Sequence, residues 1–146
     1  MKQEKEKVRV VLDTNVFVSS TFWEGNPHKV VELAIDKVIE IYTSPEILKE
    51  LEKVLKRDFA ENQEFVEKQI TLILEYAKVV RPINKVKVVK EDPDDNKIIE
   101  CAITSKAQYI VSGDPHLCTL KEVLGIKILK PKEFLDMANS YLFGNL

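Results

Sequence analysis

The chain has 146 residues, of which 45% are hydrophobic and 32% charged, a composition typical of one globular domain with a heavily charged surface. Its formal net charge of −2 gives no overall basic signal for nucleic acid, and no apolar run approaches the roughly 20 residues that a membrane span needs. The N-terminal residues MKQEKEKVRV have no apolar signal region, which predicts a cytoplasmic protein with residues 1–7 as a flexible, charged N-terminus.

The first predicted element is a strand over residues 8–12, VRVVL. All its residues except Arg9 are apolar, as in a strand that is buried on both faces. Asp13 follows directly, and two interpretations are open. The carboxylate either caps the next helix or belongs to a functional site at the end of the strand.

Two helix starts share one signature in the next part of the chain. Asn26 and Ser44 are predicted N-caps, each followed by a proline at the first helical position. Between these helices, IEIYT is predicted to form a short strand. A further helix is predicted over residues 63–76.

Strands and helices continue to alternate to the end of the chain. A strand (KVVRP), a helix (DPDDNKIIECAITSKA), two strands (YIVSGD and IKIL) and a closing helix (KPKEFLDMANSYL) are predicted in that order. This alternation predicts an α/β fold, a three-layer α/β/α sandwich with a mainly parallel sheet of about four or five strands. We expect a single domain over residues 1–146.

Carboxylates follow two of these strands. Asp13 comes after VRVVL, and Asp114 comes after YIVSG. If both strands are parallel, the two side chains lie at the same edge of the sheet, beyond the carboxyl ends of the strands.

A third acid lies on the inward face of a helix. Asp95 falls in line with an apolar stripe, whereas Asp94 falls to one side of it; the stripe is Ile98, Ile99, Ala102 and Ile103. A buried carboxylate needs a partner. The alternative is a capping arrangement, with Asp92 as the cap, Pro93 at the first helical position and Asp95 at the third.

The helix after Ser44 carries Glu46, Glu50 and Glu52. Glu50 and Glu52 lie on opposite borders of its apolar face, so helical geometry does not choose between them. Three or four carboxylates at one edge would repel one another, and a divalent cation relieves that repulsion. Oxygen ligands favour Mg²⁺ or Mn²⁺, and such ions suit phosphate chemistry.

Residues 78–90 carry basic side chains and no acid. This run either protects an edge strand or follows a phosphate backbone, and its members are Lys78, Arg81, Lys85, Lys87 and Lys90. The cysteines, Cys101 and Cys118, lack the spacing of a zinc site and are predicted to pack as small apolar residues.

Four segments together resemble one known family. VVLDTNVFVSS, SPEILKELEKVL, DPDDNKIIECA and YIVSGDPHL, in this order and spacing, are similar to the PIN-domain ribonucleases. The likeness extends to the closing ILKPKEFL and is nearest to the branch of toxins from toxin–antitoxin pairs. It implies an Mg²⁺- or Mn²⁺-dependent endoribonuclease that cleaves single-stranded RNA to 5′-phosphate and 3′-hydroxyl ends. It further implies an antitoxin protein as partner and a homodimer.

The resemblance also implies a catalytic and metal-binding quartet. Its members are Asp13 of DTN, Glu50 of ILKEL, Asp95 at the start of DNKIIECA, and Asp114 of SGD. The resemblance, not helical geometry, selects Glu50 over Glu52.

Three further positions are interpreted by the same resemblance. Asn15 and Ser112 match residues that support the site by hydrogen bonds, Ser112 standing where threonine is more usual. His116 stands where many PIN domains have another aspartate. The resemblance therefore leaves open whether the site holds one metal ion or two. A capping or packing role beside Pro115 is the expected one for His116. His28 is assigned no role.

Other classes of function compete with this interpretation. A PIN scaffold that acts as a protein-interaction module, with little or no nuclease activity, is the main alternative, and the intact quartet argues against it. A haloacid-dehalogenase-like phosphatase would need an aspartate where Asn15 stands. A receiver domain would need an acceptor strand and a lysine-bearing strand that have no clear counterparts.

Overall fold

The computed structural model of the chain describes residues 6–83 and 95–143. Its elements in chain order are β1 (Val8–Leu12), α1 (Thr14–Phe22), α2 (Asn26–Ile35), β2 (Ile39–Thr43), α3 (Pro45–Asp58), α4 (Gln63–Tyr76), β3 (Ala77–Val79), α5 (Asn96–Ser105), β4 (Tyr109–Val111), α6 (Pro115–Leu120), β5 (Glu122–Val123), β6 (Ile126–Leu129) and α7 (Pro131–Phe143).

The described strands form one sheet of six strands, in the order β3-β2-β1-β4-β6-β5. All neighbours are parallel except β5 and β6, which are antiparallel. The predicted mainly parallel sheet is therefore confirmed, and β5 is an addition. Leu124 and Gly125, at φ 49° and 82°, make the tight turn between β5 and β6, a geometry that hairpins favour.

The core strand β1 is buried between two neighbours. Val10, Val11 and Leu12 have no exposed surface, which explains the run of apolar residues that predicted this strand. Val10 aligns with Ile41 of β2 and with Tyr109 of β4. Because β1 and β4 are parallel neighbours, the residues that follow them emerge at one edge of the sheet.

Helices cover the sheet. Helix α5 contacts β1, β2 and β4, and α3 contacts both α4 and α5. Helix α2 contacts β2 and α7, while α1 contacts both α2 and α3. No helix within residues 6–83 and 95–143 is both long enough and apolar enough to cross a membrane.

Two local predictions on helices are corrected. Asn26 is the first residue of α2, not its cap, because Gly25 holds the cap position and its carbonyl accepts the Lys29 N–H at 3.0 Å. Pro27 is accordingly the second helical residue. Ile103, predicted on the buried stripe of α5, is 37% exposed. Ser44 does cap α3, accepting the Ile47 N–H at 3.3 Å.

Some predictions lie outside the described residues. The capping alternative through Asp92 and Pro93, and the position of Asp94, belong to residues 84–94. The same holds for three members of the basic run: Lys85, Lys87 and Lys90.

Candidate metal centre

Asp13 both caps helix α1 and lines the cleft that is described below. It has extended backbone between β1 and α1, and its Oδ1 accepts the Val16 N–H at 3.0 Å. Its Oδ2 accepts a hydrogen bond from the Ser112 hydroxyl. The two interpretations left open by the sequence are therefore compatible, because each oxygen has its own partner. Asp13 is only 4% exposed.

Ser112 links the two strand-end aspartates. While its hydroxyl donates to Asp13, the same oxygen accepts the Asp114 N–H at 2.9 Å. Asp114 caps α6, its Oδ1 accepting the N–H groups of His116 at 2.7 Å and Leu117 at 3.3 Å. A fully buried serine thus fixes the spacing between Asp13 and Asp114.

Glu50 reaches the site from α3. Its Oε2 accepts the Thr14 hydroxyl at 2.5 Å and lies 3.1 Å from the Lys97 ammonium. Glu52 lies elsewhere on the helix, paired with Lys56 at 2.9 Å in an exposed i,i+4 contact. Thr14 and Lys97 were not singled out from the sequence. Thr14 directly follows Asp13, and Lys97 comes two residues after Asp95; this closeness in sequence is the signal that would have found them.

Asp95 precedes α5, and its side chain makes no capping hydrogen bond to that helix. Instead Asp95, Asp114 and His116 each offer a ligand atom, and these atoms lie within 4.8 Å of one another. His116 Nδ1 is 3.7 Å from Asp114 Oδ1. An oxygen-rich set with one nitrogen suits Mn²⁺ as well as Mg²⁺.

The structure brings the four predicted acids to one small cleft. Its volume is about 80 Å³, and its lining is Asp13, Thr14, Asn15, Glu50, Val54, Asp95, Ile98 and Asp114. The four acids and Asn15, which the resemblance selects, therefore line one cleft, and Ser112 contacts it through its hydrogen bond to Asp13. A cleft of this size fits an ion and a phosphoryl oxygen but not a whole small-molecule substrate.

Burial raises the pKa of Asp13 to about 6. The negative charge of Asp114 raises it further by a smaller amount, whereas the Ser112 hydroxyl and the Val16 N–H lower it. The sequence predicted mutual repulsion among the acids, but desolvation of Asp13 raises its pKa more than the charge of Asp114 does.

The remaining predicted residues lie outside this cleft. Lys78, in the edge strand β3, pairs with Glu40 of β2, which matches the edge-strand alternative. Arg81 lines a separate groove with Glu46 and Lys49. His28 contacts the Ser20 carbonyl at 3.2 Å and Glu32 at 2.9 Å.

Neither cysteine shows the character of a metal ligand. Burial raises the pKa of the Cys101 thiol to about 12, and it also raises the pKa of Cys118. The Cys118 thiol donates to the Ser112 carbonyl at 3.3 Å. Both thiols are therefore protonated at neutral pH, as expected for small packing residues.

These features define an α/β protein with carboxylates gathered where parallel strands end. A family model described as PIN domain matches residues 9–116. The chain belongs to the PIN-domain family. The match includes all four acids of the cleft.

Relatives and solved structures agree with this family. An uncharacterised protein of Methanocaldococcus jannaschii, MJ1680, is 34% identical over 154 residues, covering 97% of this chain and 98% of the relative. VapBC2 from Rickettsia felis, crystallised with a DNA fragment from its promoter, has a TM-score of 0.61 at 16% identity, covering 84% of this chain and 98% of that one. VapC20 from Mycobacterium tuberculosis, a toxin that cleaves the sarcin–ricin loop, has a TM-score of 0.55 at 12% identity, covering 81% and 98%. These two likenesses establish the fold.

Proposed function

We propose that this protein is a divalent-metal-dependent endoribonuclease that hydrolyses phosphodiester bonds in single-stranded RNA. The observation that carries the proposal is the meeting of Asp13, Glu50, Asp95 and Asp114 at one cleft. Asp13 and Asp114 cap helices, but capping does not require four carboxylates to share one cleft, and such clustering is costly without a cation. Membership of the PIN-domain family supports the same conclusion.

The donor set fits Mg²⁺ or Mn²⁺. Asp13, Asp95 and Asp114 would hold the ion, with Glu50 assisting, and His116 adds a nitrogen close to the last two aspartates. A bound divalent cation would polarise the phosphoryl group and make water a stronger nucleophile. The four carboxylates alone could therefore hold one metal ion, without His116.

Neighbouring polar side chains hold the carboxylates of the cleft in position. Ser112 fixes Asp13 and Asp114 relative to each other through its hydroxyl. Thr14 and Lys97 hold the Glu50 carboxylate at the border of the cleft. The Lys97 ammonium can also attract a phosphate oxygen of the RNA backbone, which would favour binding before cleavage.

We further propose that the protein is the toxin of a toxin–antitoxin pair. The shared fold with VapBC2 and with the toxin VapC20 supports this role. An antitoxin protein would then be its partner, and a homodimer is the expected assembly.

A cleavage assay tests the ribonuclease. Wild type should cut a mixed pool of single-stranded RNA in Mg²⁺ or Mn²⁺ to 5′-phosphate products, and EDTA should stop it. Asp13→Asn and Asp114→Asn should abolish cleavage while the circular dichroism spectrum is kept. Asp136→Asn, at an exposed position of α7, is the matched control and should cut at the wild-type rate.

The protein-interaction alternative gives a different result in the same assay. Wild type would then leave the RNA intact at every metal concentration. Equal cutting by wild type and Asp114→Asn would trace the activity to a contaminant and refute the proposed site.

A further inference from the structure

We propose that Lys97 is a built-in counter-cation of the acidic cleft, which neutralises Glu50 in the metal-free protein and thereby weakens the binding of a divalent cation. This inference rests on the proposed function, because it takes the cleft to be a metal centre. It extends that proposal from the identity of the metal ligands to the control of metal loading.

The contact between Lys97 and Glu50 joins two helices at the cleft. Glu50 belongs to α3 and Lys97 is the second residue of α5, and these helices contact each other. The Lys97 ammonium lies 3.1 Å from Glu50 Oε2, and the same oxygen accepts the Thr14 hydroxyl at 2.5 Å. Because a carboxylate oxygen has about two lone-pair positions, protein donors occupy both positions of Oε2. Oε1 is therefore the Glu50 atom that remains for a cation.

This ion pair is less exposed to water than the neighbouring pair on α3. The side chains of Lys97 and Glu50 are 19% and 27% exposed, whereas those of Lys56 and Glu52 are 42% and 40% exposed. Water screens the charges of the first pair less, so they act more strongly on their surroundings. The charge of Lys97 therefore affects the cleft more than the charge of an exposed lysine would.

The charge of Lys97 opposes that of the acids in the cleft. Within the described part of the chain, Lys97 is the only lysine or arginine that forms an ion pair, at 4.0 Å or less, with Asp13, Glu50 or Asp114. Asp95, the other acid of the cleft, stands two residues before it in the sequence. A positive charge beside Glu50 relieves the repulsion among these carboxylates when no metal is bound. The same charge repels a cation that enters the cleft, so it lowers the affinity for that cation.

Metal binding and the charge of Lys97 are thus coupled, and the coupling has a definite sign. Removing the charge should destabilise the metal-free protein, because Glu50 loses its counter-ion. It should also tighten cation binding, because the cleft becomes more negative. A lysine that merely maintained the shape of the cleft would give the opposite second result, since a distorted site binds a cation more weakly.

Calorimetric titration with Mn²⁺ alone, without RNA, measures this coupling. Lys97→Met, of similar length but uncharged, should bind Mn²⁺ on the order of tenfold more tightly than wild type. Lys97→Arg keeps the charge and should bind Mn²⁺ as wild type does. Lys56→Met removes the exposed pair with Glu52 and is the matched control, which should leave the Mn²⁺ affinity unchanged.

Thermal unfolding gives a second readout that does not depend on activity. In EDTA, Lys97→Met should melt at a lower temperature than wild type, and saturating Mn²⁺ should narrow or reverse that difference. In a Glu50→Gln background the same substitution should lower the melting temperature by less, because Lys97 has already lost its charged partner. Lys97→Gln, which can still donate a hydrogen bond to Glu50, should show the same tightening of Mn²⁺ binding if Lys97→Met fails to fold.

The outcomes separate this inference from the ribonuclease itself. Tighter Mn²⁺ binding by Lys97→Met, together with absent RNA cleavage by wild type, would refute the proposed function while supporting the counter-cation. Equal or weaker Mn²⁺ binding by Lys97→Met, with normal RNA cleavage by wild type, would overturn the counter-cation alone. An absence of Mn²⁺ binding in wild type and in every Lys97 variant would overturn both.

Discussion

At the scale of single residues, the cleft depends on a buried acid that the fold holds at a cost. Asp13 is nine-tenths and more removed from water, yet it keeps hydrogen bonds to both oxygens. Its raised pKa measures the free energy that burial takes from the ionised form. A bound cation would stabilise the ionised carboxylate and offset this cost, as expected for a metal ligand.

The pH dependence of stability follows from this pKa. The Asp13 carboxyl titrates near 4 in the unfolded chain and at about 6 in the folded, metal-free protein. The folded state thus binds more protons in this window, so stability falls as the pH rises through it. The loss is about 3 kcal/mol in total, at 1.36 kcal/mol per pKa unit.

Comparison with Asp13→Asn isolates this effect from other groups. In urea melts with EDTA, the stability of the variant relative to wild type should increase between pH 4 and pH 7 by an amount on the order of 3 kcal/mol. A difference that stays constant over this range would show that Asp13 is not the group that titrates.

Ser112 should matter more than its size suggests. Ser112→Ala removes the hydroxyl that joins Asp13 to Asp114, and leaves a buried carboxylate oxygen without its donor. We expect a loss of about 1–3 kcal/mol in the free energy of unfolding at pH 7. Ser112→Thr keeps the hydroxyl and should lose less.

Ser105→Ala is the control for the serine prediction. Ser105 is also buried, and its hydroxyl donates to the Ala102 carbonyl within its own helix, α5, at 3.3 Å. Urea denaturation of the three variants gives the comparison. Equal losses for Ser112→Ala and Ser105→Ala would argue that the link between the aspartates carries no special stability.

At the scale of elements, helix starts place three of the four proposed metal ligands. Asp13, Asp95 and Asp114 each stand immediately before a helix, at the N-cap positions of α1, α5 and α6. The positive ends of these helices face the carboxylates and reduce the cost of gathering them. Helix α3 instead contributes Glu50 from its second turn. The position of Glu50 therefore depends on how the start of α3 is held.

Ser44, the N-cap of α3, holds the start of that helix. Ser44→Ala removes the acceptor for the Ile47 N–H and should cost about 1 kcal/mol of stability. Asn62→Ala removes the equivalent cap of α4, at 2.8 Å to the Phe65 N–H, and should cost a similar amount. Only Ser44→Ala should also weaken Mn²⁺ binding, because α3 carries Glu50 and α4 carries no residue of the cleft. Calorimetric titration measures the Mn²⁺ affinity of each variant. Equal affinities of Ser44→Ala and Asn62→Ala would contradict a specific role of the α3 cap in placing Glu50.

Much of this arrangement was predictable because the signals are local. The strand before Asp13 is apolar throughout, and Ser44 followed by proline is a strong helix start. The choice between Glu50 and Glu52 was not predictable from periodicity, since it depends on the approach of α1 through Thr14. The hairpin of β5 and β6 was missed because its turn uses Leu124 at positive φ, where asparagine or aspartate would have been the signal.

At the scale of the whole molecule, the parallel order of β1 and β4 gathers the site. The two strands are neighbours although nearly 100 residues separate Asp13 from Ser112 along the chain. Their adjacency depends on the whole sheet, so the cleft exists only in the folded protein. A cation that binds this cleft must therefore stabilise the entire fold by mass action.

Thermal unfolding with and without cation measures that linkage. At a hundredfold excess of Mn²⁺ over its dissociation constant, wild type should gain about 2.7 kcal/mol, which raises the melting temperature by roughly 5–10 °C. Asp114→Asn should lose most of this gain, and Asp136→Asn should keep it. His116→Ala should reduce the advantage of Mn²⁺ over Mg²⁺ if the imidazole is a ligand. A melting temperature that does not respond to millimolar Mn²⁺ or Mg²⁺, or responds equally in wild type and Asp114→Asn, would contradict a metal centre at these four carboxylates.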